Sequence, residues 1–212
     1  MLNPEFVKTI DCFPGLAEVL DSGAPEVSIR FNREKNAGIT LADTVPWSAG
    51  RGTYLSERPV FTLDPALHQG RYYVQEASSM FHGHVVAALT ADAVGPLVVI
   101  DACAAPGGKT TAVIDALPTG SLMIANEYVP ARASVLRENL IKWGYPATIV
   151  TRGDTASIAQ LGPVADIIVA DVPCSGEGMM RKDAEAVAQW SPALVGQCVA
   201  RQREIVANLW DA

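Results

Sequence analysis

What most constrains this chain is a series of short apolar runs that begins near residue 96, each ending in small or acidic residues and alternating with helical patterns. The runs are PLVVID (Pro96–Asp101), SLMIANE (Ser121–Glu127), ATIVT (Ala147–Thr151) and ADIIVAD (Ala165–Asp171). None has the polar alternation of a strand with one wet face. Strands that are apolar throughout are covered on both sides, and strands of that kind separated by helices build a parallel sheet. Helices are predicted from about Gly107 to Leu117 with Pro118 and Gly120 as the stop, from Pro130 to Gly144, and from about Pro192 to Trp210. The expected fold is therefore α/β, a doubly wound Rossmann-like domain. Ligands of such sheets gather at the carboxyl ends of the strands, so the residues just after each run are the ones to read for chemistry.

Upstream of residue 70 the texture differs. Pro, Gly and short irregular pieces dominate, with one helix predicted over Pro4–Leu20, a strand over Val27–Phe31 and a loop-rich stretch through VPWSAGRGTYLSERPVFTLDP. The division expected is a small α+β N-terminal extension over residues 1–70 and a ligand-binding domain over 71–212.

After the first run comes Asp101-Ala-Cys-Ala-Ala-Pro-Gly-Gly-Lys-Thr110, small residues where a backbone must approach a ligand closely before a helix opens. Lys109 sits badly in a first helical turn unless it has an anionic partner, and the carboxylate of a methionine moiety is one such partner. A tight turn with a solvated lysine is the alternative. The second run ends in Asn126-Glu127, where a carboxylate can accept both hydroxyls of a ribose; the alternative is a solvated glutamate. The third runs into Gly153-Asp154, where Asp154 can reach an adenine edge or simply close an Asx turn. One ligand, S-adenosylmethionine, accounts for all three strand ends together. GGKTT followed by IIVAD imitates a P-loop nucleotide site, but that motif needs glycine at position 103, which is Cys103, and Pro106 removes a backbone donor from the phosphate cradle.

The fourth run leads into Asp171-Val-Pro-Cys-Ser-Gly-Glu-Gly178, a carboxylate and a thiol three residues apart. Methylation at C5 of cytosine needs a thiolate to add at C6 and an acid to contact N3, so Asp171 and Cys174 are the catalytic candidates. A buried small thiol at a strand end is the alternative for Cys174.

At this point the chain resembles the RsmB/RsmF (Sun) family of RNA cytosine-5 methyltransferases, with texture closest to the RsmF-like ribosomal RNA enzymes. The segments that carry the resemblance are SIRFN, FTLDPALHQGRYYVQEASSMF, DACAAPGGKTT, NEYVPARASVLRENLIKWG and DVPCSGEGMMRKD. The resemblance implies an S-adenosylmethionine methyltransferase fold in which Cys103, Ala104, Ala105, Pro106, Gly107, Gly108 and Lys109, with Glu127 and Asp154, hold the cofactor. It implies further that Arg132 supports that site and that Asp171 stands between cofactor and cytosine. Tyr73, Gln75 and Glu76 resemble the segment leading into the fold. The implied partner is RNA, ribosomal RNA first and transfer RNA as the alternative. In this family the attacking thiol is similar to a cysteine in a later Thr-Cys motif, while the Pro-Cys thiol, here Cys174, assists product release. No such motif follows Trp210, so the fold is expected to be incomplete at the C-terminus, and a cofactor-binding chain without turnover stays open beside the enzyme.

Net charge and pI, −7 and about 4.9, argue against a self-sufficient nucleic-acid binder. The one basic cluster, Arg30, Arg33 and Lys35, is partly offset by Glu34 and is more often a solvated edge than a binding site; RNA contact by this N-terminal extension is the alternative. Four cysteines without C-x-x-C spacing suggest neither a disulfide framework nor zinc, and His82 with His84 lacks a third ligand nearby, so no metal is expected. The N-terminus has no basic start followed by an apolar stretch, which makes the expected location cytoplasmic. The 212-residue chain, incubated with labelled S-adenosylmethionine and ribosomal RNA, is expected to transfer no methyl group at a normal rate. Robust transfer lost in Cys174→Ser would instead make Cys174 the nucleophile.

Overall fold

The four apolar runs form one parallel sheet, and the order of its strands sets where a ligand can enter. The computed structural model describes residues 2–22, 26–35, 41, 43–210 and 212. In chain order the elements are α1 (Pro4–Thr9), α2 (Leu16–Ser22), β1 (Val27–Phe31), β2 (Gly52–Leu55), α3 (Pro65–His68), β3 (Tyr72–Val74) and α4 (Ala77–Leu89). There follow β4 (Val98–Asp101), α5 (Gly108–Ile114), β5 (Leu122–Asn126), α6 (Pro130–Trp143), β6 (Thr148–Thr151) and α7 (Thr155–Ala159). The last are β7 (Ile167–Val169), α8 (Ala184–Gln189) and α9 (Pro192–Leu209). No helix among the described residues is long and apolar enough to cross a membrane.

Contacts divide the chain into two compact units, Met1–Pro25 with Val172–Ala207, and Glu26–Asp171 with Asn208–Ala212. The second unit holds both sheets. Strands β6-β5-β4-β7 lie parallel in that order, while β2-β1-β3 are antiparallel. The chain therefore moves outward from β4 through β5 to β6 and then returns to the other side of β4, so the order reverses between β4 and β7. Crossovers leave in opposite directions there and open a crevice at the strand ends. Val99, Val113, Met123, Ala125 and Leu136 are the fully buried centre, which is why the runs contain no polar alternation. α6 starts on Pro130 and ends at Gly144, both as the sequence requires.

Segment 26–70 packs with the parallel sheet rather than apart from it, and a buried ion pair is the reason. Arg30 on β1, 3% exposed, pairs with Asp115 just after α5. Its Nε donates to Gln75 Oε1 at 2.7 Å and Nη2 to Thr111 Oγ1 at 2.6 Å, while the guanidinium lies 4.5 Å over the Trp143 ring. Trp143 Nε1 donates to Asp115 Oδ1 at 3.2 Å. Burial lowers the Arg30 pKa to about 10 and raises that of Asp115, so for both partners the loss of water outweighs the attraction.

The RNA contact weighed for the basic cluster is thereby corrected. Arg30 is sealed inside. Arg33 and Arg51 donate to the Asp115 carbonyl at 3.4 and 3.1 Å, and Lys35 donates to the carbonyls of Gln69 at 2.9 Å and Lys142 at 2.5 Å. Unpaired carbonyls at the helix ends of α3, α5 and α6 account for these cations.

In the first unit the single helix expected over Pro4–Leu20 is two helices. Pro14 and Gly15, with φ of 79° at the glycine, interrupt it, because proline removes a helical N–H and the left-handed backbone turns the chain away. Leu2, Phe6, Met180 and Trp190 make the core of this unit, with the Phe6 and Trp190 rings edge to face at 5.4 Å.

Cutting the Asp115 side chain to alanine leaves a buried, unpaired guanidinium. Urea unfolding of Asp115→Ala is expected to show a loss of about 3–5 kcal/mol. The half-exposed Arg33, replaced by alanine, is expected to lose under about 1 kcal/mol.

Candidate cofactor and active site

The segments that follow β4 and β7 line one cleft of about 210 Å³, together with residues of and after β3; its lining includes Gln75, Ser79, Cys103, Pro106, Lys109 and Asp171. Larger surface grooves lie elsewhere, along α6 and β6 and beside Tyr145, away from the strand ends that carry the acidic and glycine-rich residues.

The turn after β4 is built for close approach. Gly107 has φ of 106°, a left-handed backbone, and caps α5. A Cβ on Gly108 would come within 3.2 Å of the Tyr73 ring. Carbonyl oxygens of the turn are held by donors from the scaffold. Ala104 O accepts from Gly107 N at 2.8 Å, Ala105 O from Arg132 Nη2 at 2.9 Å, Pro106 O from Asn139 Nδ2 at 2.8 Å and Tyr73 OH at 3.1 Å, and Gly108 O from Gln75 Nε2 at 2.9 Å. Cys103, with its thiol pushed up to about 11 by burial and then by the Asp101 carboxylate, stays protonated at neutral pH.

Glu127, 4% exposed, follows β5. Its Oε1 accepts from Val129 N at 2.9 Å, and its Oε2 lies 3.6 Å from Arg132 Nη2. Arg132 thus spans the glutamate and the turn. Lys109 has an anionic partner inside the chain: its Nζ is 2.5 Å from Asp171 Oδ2. Asp154 accepts from Ala156 N at 2.9 Å and caps α7, the Asx-type alternative weighed from the sequence. Cys174 belongs to the other compact unit and is exposed.

Several residues of the site were not singled out from the sequence. Asn126 Nδ2 bonds the carbonyls of Ala102 at 3.2 Å and Gly153 at 3.0 Å, tying three strand ends together; its signal was a polar residue closing an apolar strand. His82, set aside as a surface residue, is half-buried. Its pKa is lowered by burial and then by the charge of Lys109, and its Nδ1 lies 3.3 Å from the Ser79 carbonyl. Asp101, at the end of β4, is 1% exposed; its Oδ2 accepts from Thr110 at 2.7 Å and its Oδ1 has no partner among the described residues.

The family model described as 16S rRNA methyltransferase RsmB/F matches residues 90–212. The chain belongs to that family. Ribosomal RNA small subunit methyltransferase F of Cronobacter sakazakii (strain ATCC BAA-894) is 40% identical over 144 residues, 68% of this chain and 29% of that protein. The chain thus spans under a third of the length of the curated relatives it matches. Among solved structures, PH0851 is similar with a TM-score of 0.85 at 19% identity, over 99% of this chain and 50% of that one. NSun6 from Pyrococcus horikoshii with SFG gives 0.59 at 24% identity, over 72% and 38%. These likenesses place the chain in the Rossmann-like methyltransferase fold expected for an RsmB/F member.

Burial raises Asp101 from 3.8 to about 6. A raised carboxyl pKa favours the native state below the unfolded value, and that advantage is lost as pH climbs through about 6. Near neutral pH the ionised group therefore costs on the order of 3 kcal/mol. Asp101→Asn is expected to be more stable than the parent chain by up to about that amount at neutral pH and to show no gain near pH 3.5, read by urea unfolding at both.

Proposed function

We propose that this RsmB/F chain carries the cofactor site of an enzyme that transfers the methyl group of S-adenosylmethionine to C5 of cytosine in RNA, with ribosomal RNA as the substrate class. The observation that carries the reading is the succession, at adjacent carboxyl ends of the sheet, of buried Glu127 after β5, the glycine turn after β4 and, at the switch point between β4 and β7, the Lys109–Asp171 pair. Support for the RNA comes from the relatives, which are named ribosomal RNA methyltransferases.

The residues suit the cofactor on grounds internal to the fold. A carboxylate as buried as Glu127, with one oxygen bound only to a backbone amide and the other 3.6 Å from Arg132, can accept from two neighbouring ribose hydroxyls. When bound, S-adenosylmethionine supplies an electrophilic methyl group on a sulfonium. Cys103, Ala104, Ala105, Pro106, Gly107 and Gly108 form the small-residue wall against it, Arg132 steadies Glu127, and Asp154 closes the adenine side. Asp171, beside Lys109, would in its protonated form donate to N3 of the cytosine and so take up the charge that builds there as a thiolate adds at C6, a thiolate that the family resemblance puts in the later Thr-Cys motif. Cys174 serves product release, in keeping with the family resemblance.

Glu127→Ala removes charge-assisted hydrogen bonds worth roughly 1.5–3 kcal/mol, so its dissociation constant for S-adenosylmethionine is expected to rise about ten- to a hundredfold. Isothermal titration of the folded variant measures it. An unchanged constant, or stabilisation of the parent chain by ATP and not by S-adenosylmethionine, defeats the reading.

A further inference from the structure

We propose that Gln75 and Tyr73, on and just after β3 of the antiparallel sheet, are positioning residues that set the shape of the glycine turn for cofactor binding. The inference rests on the function proposed above, and it gives the antiparallel sheet a part in that function.

Gln75 is 5% exposed and joins two groups that nothing but an amide of its length can join. On one side stands Arg30, a guanidinium, which can only donate; Gln75 Oε1 accepts from its Nε at 2.7 Å. On the other stands the carbonyl of Gly108, which can only accept; Gln75 Nε2 donates to it at 2.9 Å. These two partners fix the amide's orientation without ambiguity. A glutamate here would still accept from Arg30 and would face the Gly108 carbonyl with a second acceptor. A leucine would satisfy neither. Arg30 is itself fixed by Asp115, Thr111 and the face of Trp143, so Gln75 passes the position of a rigid, buried cation to the turn.

Tyr73 acts one residue pair earlier. Its hydroxyl donates to the Pro106 carbonyl at 3.1 Å and receives from Asn139 Nδ2 at 3.3 Å, while Asn139 also donates to Pro106 O at 2.8 Å. Burial pushes the Tyr73 hydroxyl up to about 12, so it keeps its proton at working pH. The Tyr73 ring also forms the wall against which Gly108 presses.

Holding these carbonyls matters because the ligand proposed for the cleft carries a carboxylate. Gly108 O also accepts from Thr111 Oγ1 at 3.0 Å and Pro106 O from Asn139 Nδ2 at 2.8 Å, so losing Gln75 or Tyr73 takes one of two side-chain donors from its carbonyl and leaves that oxygen's negative charge less compensated beside the ligand carboxylate. The turn's shape therefore depends on the antiparallel sheet, and not only on its own glycines.

The test compares Gln75→Glu and Tyr73→Phe with the parent chain. Gln75→Glu keeps the bond to Arg30 but turns the donor to Gly108 into a facing acceptor and adds a negative charge at the cleft wall, whereas Tyr73→Phe keeps the ring, loses only the hydroxyl and so reads the hydrogen bond without a change of charge. Two readouts apply to each: the dissociation constant for S-adenosylmethionine well below the melting temperature, and amide hydrogen exchange of the ligand-free chain. The expected result is a constant raised roughly tenfold for Gln75→Glu, which loses a part-buried hydrogen bond, and about two- to threefold for Tyr73→Phe, which loses an exposed one. Exchange should quicken at residues 107–110 and stay unchanged on β4 and β5. A merely structural role would lower the melting temperature and speed exchange across the sheet while leaving the affinity alone. Should Gln75→Glu not fold, Tyr73→Phe decides by the same two readouts. Parent-like affinity and parent-like exchange at 107–110 overturn the proposal. If the parent chain binds no S-adenosylmethionine, the cofactor reading fails by itself, and exchange at 107–110 still decides whether these residues shape the turn.

Discussion

Everything in the larger unit is arranged around a guanidinium that has no access to water. Arg30 projects from a three-stranded antiparallel sheet into the space between α5 and α6, where it meets Asp115, Thr111, Gln75 and the face of Trp143. Burial of such a group is costly, and the shifts of Arg30 and Asp115 toward their neutral forms record that cost. What is obtained in return is direction. A guanidinium donates along fixed lines, so every group around it is held in one arrangement. The antiparallel sheet, the first crossover helix and the helix after β5 all meet at that point, with further links from Asn32, Lys35 and Arg51 around it.

The ligand cleft inherits this rigidity. Its glycine turn is held from one side by Arg132 and Asn139 on α6 and from the other by Tyr73 and Gln75 of the antiparallel segment. At the cleft itself the chain departs from the pattern that gives the best stability. Asp101 is buried with one oxygen unpartnered, and Glu127 is buried with a single cation at 3.6 Å. A fold selected for stability alone has no reason to keep two such carboxylates at adjacent strand ends, whereas a site that receives donors from a ligand does.

Much of this was legible in the residues. The four apolar runs, Pro130 and Gly144 fixed the strands, the bounds of α6 and the carboxyl-end location of the site, because those depend on periodicity and on the local chemistry of proline and glycine. The positions of Glu127, Lys109 and Asp171 at strand ends followed from the same pattern. The break at Pro14 and Gly15 was present in the sequence and underweighted against the apolar pattern on either side.

Other features were settled only by the tertiary structure. Arg30, Arg33 and Lys35 look alike in sequence, three cations within six residues, yet one is buried against a carboxylate and the other two hold carbonyls at helix ends. Partners 81 to 85 residues away decide that difference, and no local rule can name them. The same holds for Lys109, whose partner is Asp171, and for Gln75, whose two hydrogen bonds join a distant arginine to a distant carbonyl. Sequence by itself determined the four parallel strands and the helices α5, α6 and α9 between and after them, since backbone preference and hydrophobic period act over a few residues. Which charges are buried, which are paired and which acceptors remain open was decided by packing, since those depend on what long-range contacts exclude from water.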